Sequence, residues 1–301
     1  FGGNCGAEKI PMNKLFLNWR LWRRIRSFDP DVICYVPSSS GTFNSFVRAR
    51  MLKLYGRDAR VILVSLQSRS FSRGASRWAR HFRPDVVLVQ SRESARSYQE
   101  LGCAVHLVPS GVELDTYCPV SESRRLELRR GYRLPPDAFL LLHVGHINTN
   151  RGVSIFKELQ KNPKVQVLLV GSTSTRQDEM LIEELETAGV RVLREFIPAI
   201  HEIYQMSDCY LFQVASKAAA IELPLSVLEA MACNLPVVTT RFGGLQDHFP
   251  EGDGLMFVDG PEEMRTAISL VMEGIETDTR RMVANLSWDR ILKTHWQRYL
   301  R

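Results

Sequence analysis

The sequence predicts an α/β fold in which parallel strands alternate with helices and form two doubly wound sheets. Three observations lead to this fold class. The chain has 301 residues, and because single domains commonly hold about 100–200 residues, we expect two domains. Short apolar runs recur along the chain and are apolar on both faces, as strands buried between layers of helices are. The stretches between these runs have the length and composition of helices.

Ten apolar runs are the predicted strands. In the first half of the chain they are Val32–Val36, Val61–Leu66, Val86–Val89 and Val105–Val108. In the second half they are Phe139–Val144, Val165–Val170, Val190–Leu193, Cys209–Phe212, Pro236–Val238 and Leu255–Val258. A charged and proline-containing stretch between the two sets predicts a domain boundary near residue 120. We therefore expect domains over residues 1–120 and 121–286, and a C-terminal helix in residues 287–301 that packs between or across them.

Three further stretches of the sequence are predicted helices that bear on function. Lys14–Ser27 interleaves arginines with tryptophans. It is either an amphipathic helix on anionic lipid or, as we favour, an ordinary surface helix with its tryptophans in the core. Leu225–Cys233 predicts a short helix, and Trp288–Tyr299 predicts the C-terminal one.

Composition excludes several classes of protein. Apolar residues make up 45% and charged residues 24% of the chain, which excludes a disordered, collagen-like or coiled-coil protein. The apolar runs are far shorter than the roughly 18 residues that cross a bilayer. The six cysteines contain no Cys-x-x-Cys pair. Free thiols in a reducing compartment are therefore favoured over a disulfide or metal framework, and we expect a cytoplasmic protein.

The net charge of +6 is unevenly distributed. Residues 1–120 hold 18 Lys and Arg against 9 Asp and Glu, whereas residues 121–301 hold 21 against 24. This asymmetry indicates that the first half meets an anionic partner: a membrane surface, a phosphorylated acceptor or nucleic acid. Nucleic acid is disfavoured because no nucleic-acid-binding motif accompanies the charge. Peripheral attachment to the inner face of the membrane is the hypothesis that rests on this basic half.

The loop after Phe139–Val144 is the first candidate anion site. The predicted strand ends at Gly145, and His146 and Arg151 follow in a polar loop. Ligands of open α/β sheets bind at the carboxyl ends of strands. A glycine there lets a ligand approach the backbone, and the two side chains can neutralise a phosphate. The alternative is a generic turn with an exposed arginine. Neither GxxxxGK[ST] nor a GxGxxG after a strand occurs, so P-loop enzymes and nicotinamide dehydrogenases are poor fits.

The start of the predicted helix Leu225–Cys233 is the second candidate anion site. The first amides of a helix have no partner inside it and point at whatever binds there. Glu229 falls one turn inside the helix, where a carboxylate can accept hydrogen bonds from a vicinal diol such as ribose. Glu222 precedes the helix, and the pair Gly243–Gly244 permits a close backbone approach. Because Glu229 is flanked by apolar residues, we reject an ordinary surface carboxylate.

The segment Glu222–Gly244, ELPLSVLEAMACNLPVVTTRFGG, resembles the EGxPxxxLEAMAxGxPVVxxxxGG block of glycosyltransferase family 4 (GT4). These glycosyl transferases of group 1 are retaining enzymes that use nucleotide sugars and have two Rossmann-like domains, the GT-B fold. Supporting similarities are VPSGVELDTYCP at Val108–Pro119, GHINTNRG at Gly145–Gly152, GLMFVDGPEEM at Gly254–Met264 and SWDRI at Ser287–Ile291. Together they cover roughly residues 85–300.

The resemblance implies transfer of a hexose from a UDP- or GDP-linked sugar to a hydroxyl, with retained configuration. Arg151 and His146 would hold the leaving diphosphate, and Glu222 would serve the sugar hydroxyls. Glu229 would accept from the ribose, and the base would lie against the Arg194–Pro198 loop. The implied donor-binding positions are Gly145, Ile197, Leu223, Pro224, Leu225, Ser226 and Glu229. No metal or other cofactor is required if cations and amides stabilise the leaving group.

The acceptor, a lipid or a saccharide, would bind at strand ends of the first domain. The candidate acceptor-side residues are Ser39, Ser40, Gly41 and Gln67. Two positions depart from the family pattern. Gln67 stands where the family often has a histidine, and Ile221 stands eight positions before Glu229, where the family has its first glutamate. Glu222 would therefore serve only after a one-residue shift of its loop.

Two other functions stay open. Ile221 and Gln67 fit a degenerate, non-catalytic sugar-nucleotide-binding protein. A GT-B sugar-nucleotide epimerase ranks lower, because the matching block is that of the transferases. Four predicted strands in the first half are few for a Rossmann-like domain, so we expect this domain to be incomplete at its N-terminus.

Overall fold

A computed structural model confirms the α/β fold with two parallel sheets. The structure describes residue 10 and residues 18–37, 41–57, 59–67, 69, 71–172, 178–216 and 219–299. The strands are β1 Val32–Tyr35, β2 Arg60–Ser65, β3 Val86–Val89, β4 Val105–Leu107, β5 Phe139–Gly145, β6 Val165–Gly171, β7 Arg191–Leu193, β8 Cys209–Phe212, β9 Val237–Thr240 and β10 Leu255–Val258. All ten predicted strands are present, with bounds that differ by at most two residues.

Helices connect the strands. In the first half they are α1 Trp19–Phe28, α2 Phe43–Tyr55, α3 Arg73–Ala79 and α4 Arg92–Glu100. They continue with α5 Glu122–Gly131, α6 Ile155–Gln160, α7 Glu179–Thr187, α8 Ile200–Gln205, α9 Leu225–Ala232, α10 Leu245–His248, α11 Pro261–Glu273, α12 Thr279–Val283 and α13 Trp288–Ile291. No helix in the described ranges is both long and apolar enough to span a bilayer.

The first sheet has four parallel strands in the order β1-β2-β3-β4. Each strand lies beside the next one in the chain, so right-handed crossovers place α2, α3 and α4 on one face of the sheet. Phe46, Ala79 and Tyr98 from these three helices share one core cluster with Leu63 and Val87 of the sheet. The sheet therefore winds in a single direction along its described strands.

The second sheet has six parallel strands in the order β10-β9-β8-β5-β6-β7. The chain moves outward from β5 to β7 and then returns to place β8 on the other side of β5. β5 and β8 are thus the neighbours at which the direction of winding reverses. Open α/β sheets bind ligands at the carboxyl ends of strands beside such a switch point.

The chain divides into two compact units, residues 1–108 with 296–301, and residues 109–295. The sequence placed the boundary near 120, later than this division. Residues 109–120 join the second unit because Val112 N donates to Leu286 O at 2.8 Å. A side chain at Gly111 would collide with the ring of Trp288. These partners lie far away in the sequence, so local composition does not reveal them.

The two terminal helices differ from their predictions. α1 contains no buried residue, and Trp19 is exposed rather than in the core. The helix starts at the cap Asn18, whose side chain accepts from Leu21 N at 2.9 Å. α13 ends at Ile291, and the chain continues as a wide turn over Leu292–Trp296 and a 3-10 turn over Gln297–Tyr299.

Candidate functional site

The loop after β5 holds a buried arginine. Arg151 is only 7% exposed, so the interpretation as a generic turn with an exposed arginine is wrong. Asn148 positions it by accepting a hydrogen bond from Arg151 N at 3.2 Å, within a 3-10 turn. The turn ends at Gly152, which adopts φ 63°. The guanidinium carbon of Arg151 lies 5.3 Å from the centroid of the Phe212 ring, at the end of β8.

The guanidinium of Arg151 has hydrogen-bond donors that the described residues leave unused. Among the described residues, its Nε and Nη1 atoms have no hydrogen-bond partner. Burial lowers the pKa of Arg151, but arginine starts so high that the group stays charged at neutral pH. A buried cation without a counter-ion costs several kcal/mol. The geometry therefore fits an anion that arrives from outside the chain.

A buried histidine that sequence analysis missed lies beside Arg151. His143, in β5, hydrogen-bonds Leu211 O through Nδ1 at 2.9 Å. Because a carbonyl only accepts, Nδ1 carries the proton and Nε2 is an acceptor, which has no partner in the described part of the chain. Burial, opposed by the bond to Leu211 and supported by the charge of Arg151, lowers the pKa of His143 to about 4. A methyl group at Gly145 would approach Nε2 to 3.3 Å, so Gly145 keeps the space beside this buried acceptor clear.

His146 lies in the same loop and is half-buried. Burial, with a smaller contribution from the charge of Arg151, lowers its pKa below the usual 6.5. His146 is therefore neutral at neutral pH, where it can donate one hydrogen bond to a phosphate but adds no charge. Arg151 is the cation of the pair.

The hydroxyl of Tyr210, in β8, joins the two candidate anion sites. It donates to Val144 O in β5 at 3.3 Å and also hydrogen-bonds the side chain of Ser226, the second residue of α9. The loop after β5 and the start of α9 therefore lie together, at the switch point of the second sheet. The residue before α9 is Pro224, which supplies no side-chain cap, so the amides of Leu225 and Ser226 stay uncapped by it.

Glu222 is buried and held through its backbone. Its carbonyl accepts from Gly244 N at 2.7 Å. Gly243 adopts φ 57°, and a methyl group there would lie 2.3 Å from Glu222 O. The glycine pair thus lets its backbone lie close to the backbone of Glu222. The next two residues, Leu223 and Pro224, are buried as well.

Two tyrosines hold the carboxylate of Glu229. Tyr204 donates to Glu229 Oε2 at 2.8 Å, and the hydroxyl of Tyr117 makes a second hydrogen bond. Burial raises the pKa of Glu229, and the two tyrosine hydroxyls oppose that shift. The rings of Tyr117 and Tyr204 meet edge to face at 5.7 Å, and Tyr204 lies 5.8 Å from Tyr210. Tyr117, Tyr204 and Tyr210 therefore form a row of aromatic rings. The row connects Glu229 to the Tyr210 hydroxyl, which joins the two candidate anion sites.

The loop predicted to face the nucleobase follows β7. Ile197 is half-buried and packs against the core, whereas its neighbour Phe196 is exposed. Sequence analysis did not single out Phe196, although a free aromatic face suits stacking on a base. In the described ranges no three His, Cys, Asp or Glu side chains gather to hold a metal ion.

The acceptor-side candidates lie at the ends of β1 and β2. Gly41 N donates to Gln67 O at 2.8 Å, which brings these two predicted residues together. Tyr98 from α4 donates to Gly41 O at 3.2 Å and shares a hydrogen bond with Ser65 at 2.9 Å. Ser39 and Ser40 lie outside the described residues.

Comparison with known proteins fits this geometry. Residues 138–273 match the family described as glycosyl transferases group 1. The matched range lies within the second unit. Arg151, Glu222 and Glu229 all fall inside the matched range.

Two curated relatives illustrate the similarity. The sulfoquinovosyl transferase SQD2 of Arabidopsis thaliana is 24% identical over 315 residues, which cover 96% of this chain and 58% of the relative. A D-inositol 3-phosphate glycosyltransferase of Geodermatophilus obscurus is 30% identical over 209 residues, which cover 61% and 44%. The chain thus spans about half the length of the curated relatives it matches.

A solved structure shows the same fold. Anabaena HepE in complex with UDP-glucose superposes with a TM-score of 0.73 at 17% identity, covering 92% of this chain and 80% of that one. The two parallel-sheet domains are those of the GT-B fold.

Proposed function

We propose that this protein transfers a hexose from a nucleotide-diphosphate sugar to a hydroxyl acceptor with retention of anomeric configuration. The observation that carries the proposal is the buried guanidinium of Arg151, which lies at the switch point beside the start of α9 and has two nitrogens without a partner among the described residues. A diphosphate supplies the anion that this arrangement lacks. Anabaena HepE, which has the same fold, forms a complex with UDP-glucose, and this supports a donor of that class.

The chemistry follows from where charge develops. When the glycosidic bond to the donor breaks, negative charge accumulates on the leaving diphosphate. Arg151 and the amides of Leu225 and Ser226 are donors placed in advance, which lowers the energy of that charge in a water-poor site. His146 adds one neutral donor. Because a cation and amides stabilise the leaving group, we propose that no metal is needed and expect a chelator to leave turnover unchanged.

The carboxylates would orient the donor. Glu229, held by Tyr204 and Tyr117, accepts from the ribose hydroxyls in this proposal, and Glu222 accepts from hydroxyls of the sugar. Phe196 and Ile197 lie in the loop proposed to contact the base. We propose that the acceptor hydroxyl, from a lipid or a saccharide, approaches Gly41 and Gln67. The names of several relatives include D-inositol 3-phosphate, a small compound with several hydroxyls.

A calorimetric comparison of UDP, GDP and uridine tests the anion site. In Arg151→Met, the affinity for UDP should fall on the order of 100-fold, because two charge-assisted hydrogen bonds are lost. The affinity for uridine, which has no phosphate, should change little. Arg130→Met serves as the control because Arg130 is an exposed arginine of α5. An equal loss for UDP and uridine would contradict the assignment of Arg151 to the phosphates.

Transfer itself needs a second experiment. A donor and acceptor screen with the product anomer read by NMR should find the configuration of the donor preserved. Tight nucleotide binding without transfer to any hydroxyl would instead support the degenerate binding protein that Ile221 and Gln67 fit.

A further inference from the structure

Three consecutive helices of the first unit carry basic side chains and no acidic ones. α1 contains four arginines in WRLWRRIRSF, α2 contains two arginines and a lysine, and α3 contains two arginines. The sequence from Ala59 to Pro84, which includes α3, has six arginines and no Asp or Glu. The excess positive charge of the first half is therefore concentrated here.

These three helices pack side by side. From α1, Leu21 and Ile25 share a core cluster with Leu52 of α2. The guanidinium of Arg26 donates to Leu54 O, in the last turn of α2, at 3.4 Å. On the other side, Phe43 at the start of α2 meets Phe82 just after α3 at 6.0 Å between ring centroids. α1, α2 and α3 thus form one continuous layer.

The layer turns both cations and large apolar side chains outward. Trp19 is 60%, Leu54 61%, Trp78 63% and Phe28 76% exposed. We call the exposed arginines and large apolar side chains of this layer the basic face: Trp19, Arg20, Arg23, Arg24, Phe28, Arg50, Leu54, Arg57, Arg77, Trp78 and Arg80. On α1, Trp19 and Phe28 flank three arginines, and the guanidinium carbon of Arg23 lies 5.7 Å from the Trp19 ring centroid.

This composition is specific to the layer. The next helix, α4, carries Glu93 and Glu100 beside Arg92 and Arg96, and so has no net charge. α5 of the second unit likewise mixes acids with its arginines. A general excess of arginine does not explain the basic face, because α4, in the same unit, has as many acidic as basic side chains.

We propose that the basic face docks on an anionic lipid bilayer. Arginines attract anionic headgroups, and exposed tryptophan, phenylalanine and leucine side chains enter the boundary between headgroups and acyl chains. A nucleic acid would use the cations, but it offers no apolar phase for Phe28 and Leu54. Docking is independent of the proposed glycosyl transfer, although it would bring a membrane-borne hydroxyl to the first unit.

Vesicle sedimentation without any donor or acceptor tests the proposal. The full chain should bind phosphatidylcholine vesicles that contain phosphatidylglycerol, bind pure phosphatidylcholine vesicles far less, and release with added salt. The triple variant Arg20→Gln, Arg23→Gln, Arg50→Gln should bind on the order of 100-fold more weakly, since each cation near an anionic surface contributes about fivefold. Trp78→Ala should weaken the binding that remains at high salt.

A charge-matched control separates location from net charge. Arg96→Gln, Arg130→Gln, Arg191→Gln removes the same charge from exposed positions outside the basic face, and should bind like the unmodified chain. Equal losses in both triple variants, or equal binding to neutral vesicles, would overturn the proposal. Binding to duplex DNA or heparin but not to vesicles would also overturn it and assign the face to a polyanion. UDP affinity should be unchanged in the arginine triple, which keeps this test separate from that of the proposed function.

Discussion

The two sheets of this protein resemble each other in strand type and differ in winding. The first runs β1 to β4 in one direction, whereas the second reverses between β5 and β8. In the second sheet, the connections that follow β5 and β8 leave in opposite directions. Arg151, His143 and the start of α9 lie together where these two strands end. In the first, the described ends of β1 and β2 are closed by hydrogen bonds among Gly41, Gln67 and Tyr98. The difference teaches that, among the described strands, only the topology of the second sheet opens a candidate anion site.

At the amino ends of the strands, each sheet has an aspartate that pairs with a cation, and the two pairs differ in burial. Asp85, before β3, accepts from Val61 N at 2.8 Å and pairs with Lys53. Asp208, before β8, accepts from Leu140 N at 2.6 Å and pairs with Arg129. The side chain of Lys53 is 35% exposed and that of Arg129 only 4%. The cation of the pair is therefore partly exposed in the first sheet and buried in the second.

The largest expected effect comes from breaking the buried pair. Arg129→Met should lower the free energy of unfolding by about 2–4 kcal/mol, because it removes the buried cation of this pair and leaves Asp208 with Arg125 as its partner. It also removes the donors to Met206 O, Pro136 O and Ala138 O. Lys53→Met, in the more exposed pair, should cost about 1 kcal/mol. Urea denaturation of the two variants measures both changes in the free energy of unfolding. Similar losses would show that the two ion pairs do not differ in their contribution to stability.

The pH dependence of stability should be the next largest effect. The pKa of His143 is about 4 in the folded chain against 6.5 unperturbed. As the pH falls through 6.5 the unfolded chain takes up a proton that the folded chain refuses. Stability is therefore full above pH 6.5 and declines toward pH 4, by about 3 kcal/mol from this group.

His143→Phe should flatten that part of the stability curve relative to the unmodified chain. His81→Gln is the control, because His81 is an exposed histidine of the first unit. Thermal melts across this pH range should show parallel curves for the control. Parallel curves for His143→Phe as well would mean that His143 is not held neutral.

Alanine substitutions at one glycine beside each sheet should differ in their effect on UDP binding. A methyl group at Gly243 would meet Glu222 O at 2.3 Å, and one at Gly41 would meet Tyr98 Oη at 1.9 Å and Ser65 Oγ at 2.4 Å. Each Ala substitution should cost about 2 kcal/mol of stability. Only Gly243→Ala should weaken UDP binding, since it moves the backbone before α9. If calorimetry found the same loss of UDP affinity for Gly41→Ala, this difference between the two sheets would be contradicted.

The smallest effect concerns the carboxylate of Glu229. Tyr204→Phe removes one hydrogen bond and should cost about 1–2 kcal/mol. It should also raise the pKa of Glu229 further and reduce the preference for UDP over 2′-deoxy-UDP. Tyr132→Phe is the matched control, because that hydroxyl donates to Glu202 at 3.2 Å. A preference unchanged by Tyr204→Phe would argue against contact between Glu229 and the ribose.

The strands were predictable because a buried parallel strand leaves a local signature, a run apolar on both faces. The same locality explains what was missed. The burial of Arg151 depends on Phe212, about sixty residues later, and the bonds to Glu229 come from Tyr117 and Tyr204 on separate segments. His143 was the one residue with a local signal, a histidine within an apolar strand. The roles assigned to Glu222, Glu229 and Gln67 stay predictions.

The stacked pair Trp19 and Trp22 has an optical consequence. Their ring centroids are 4.1 Å apart and the planes differ by 23°, close enough for the ultraviolet transitions of the two indoles to couple. Circular dichroism should therefore carry a signal that originates in α1 alone. Any partner that separates the two rings would erase that signal, so the chain contains a built-in reporter for events at this helix.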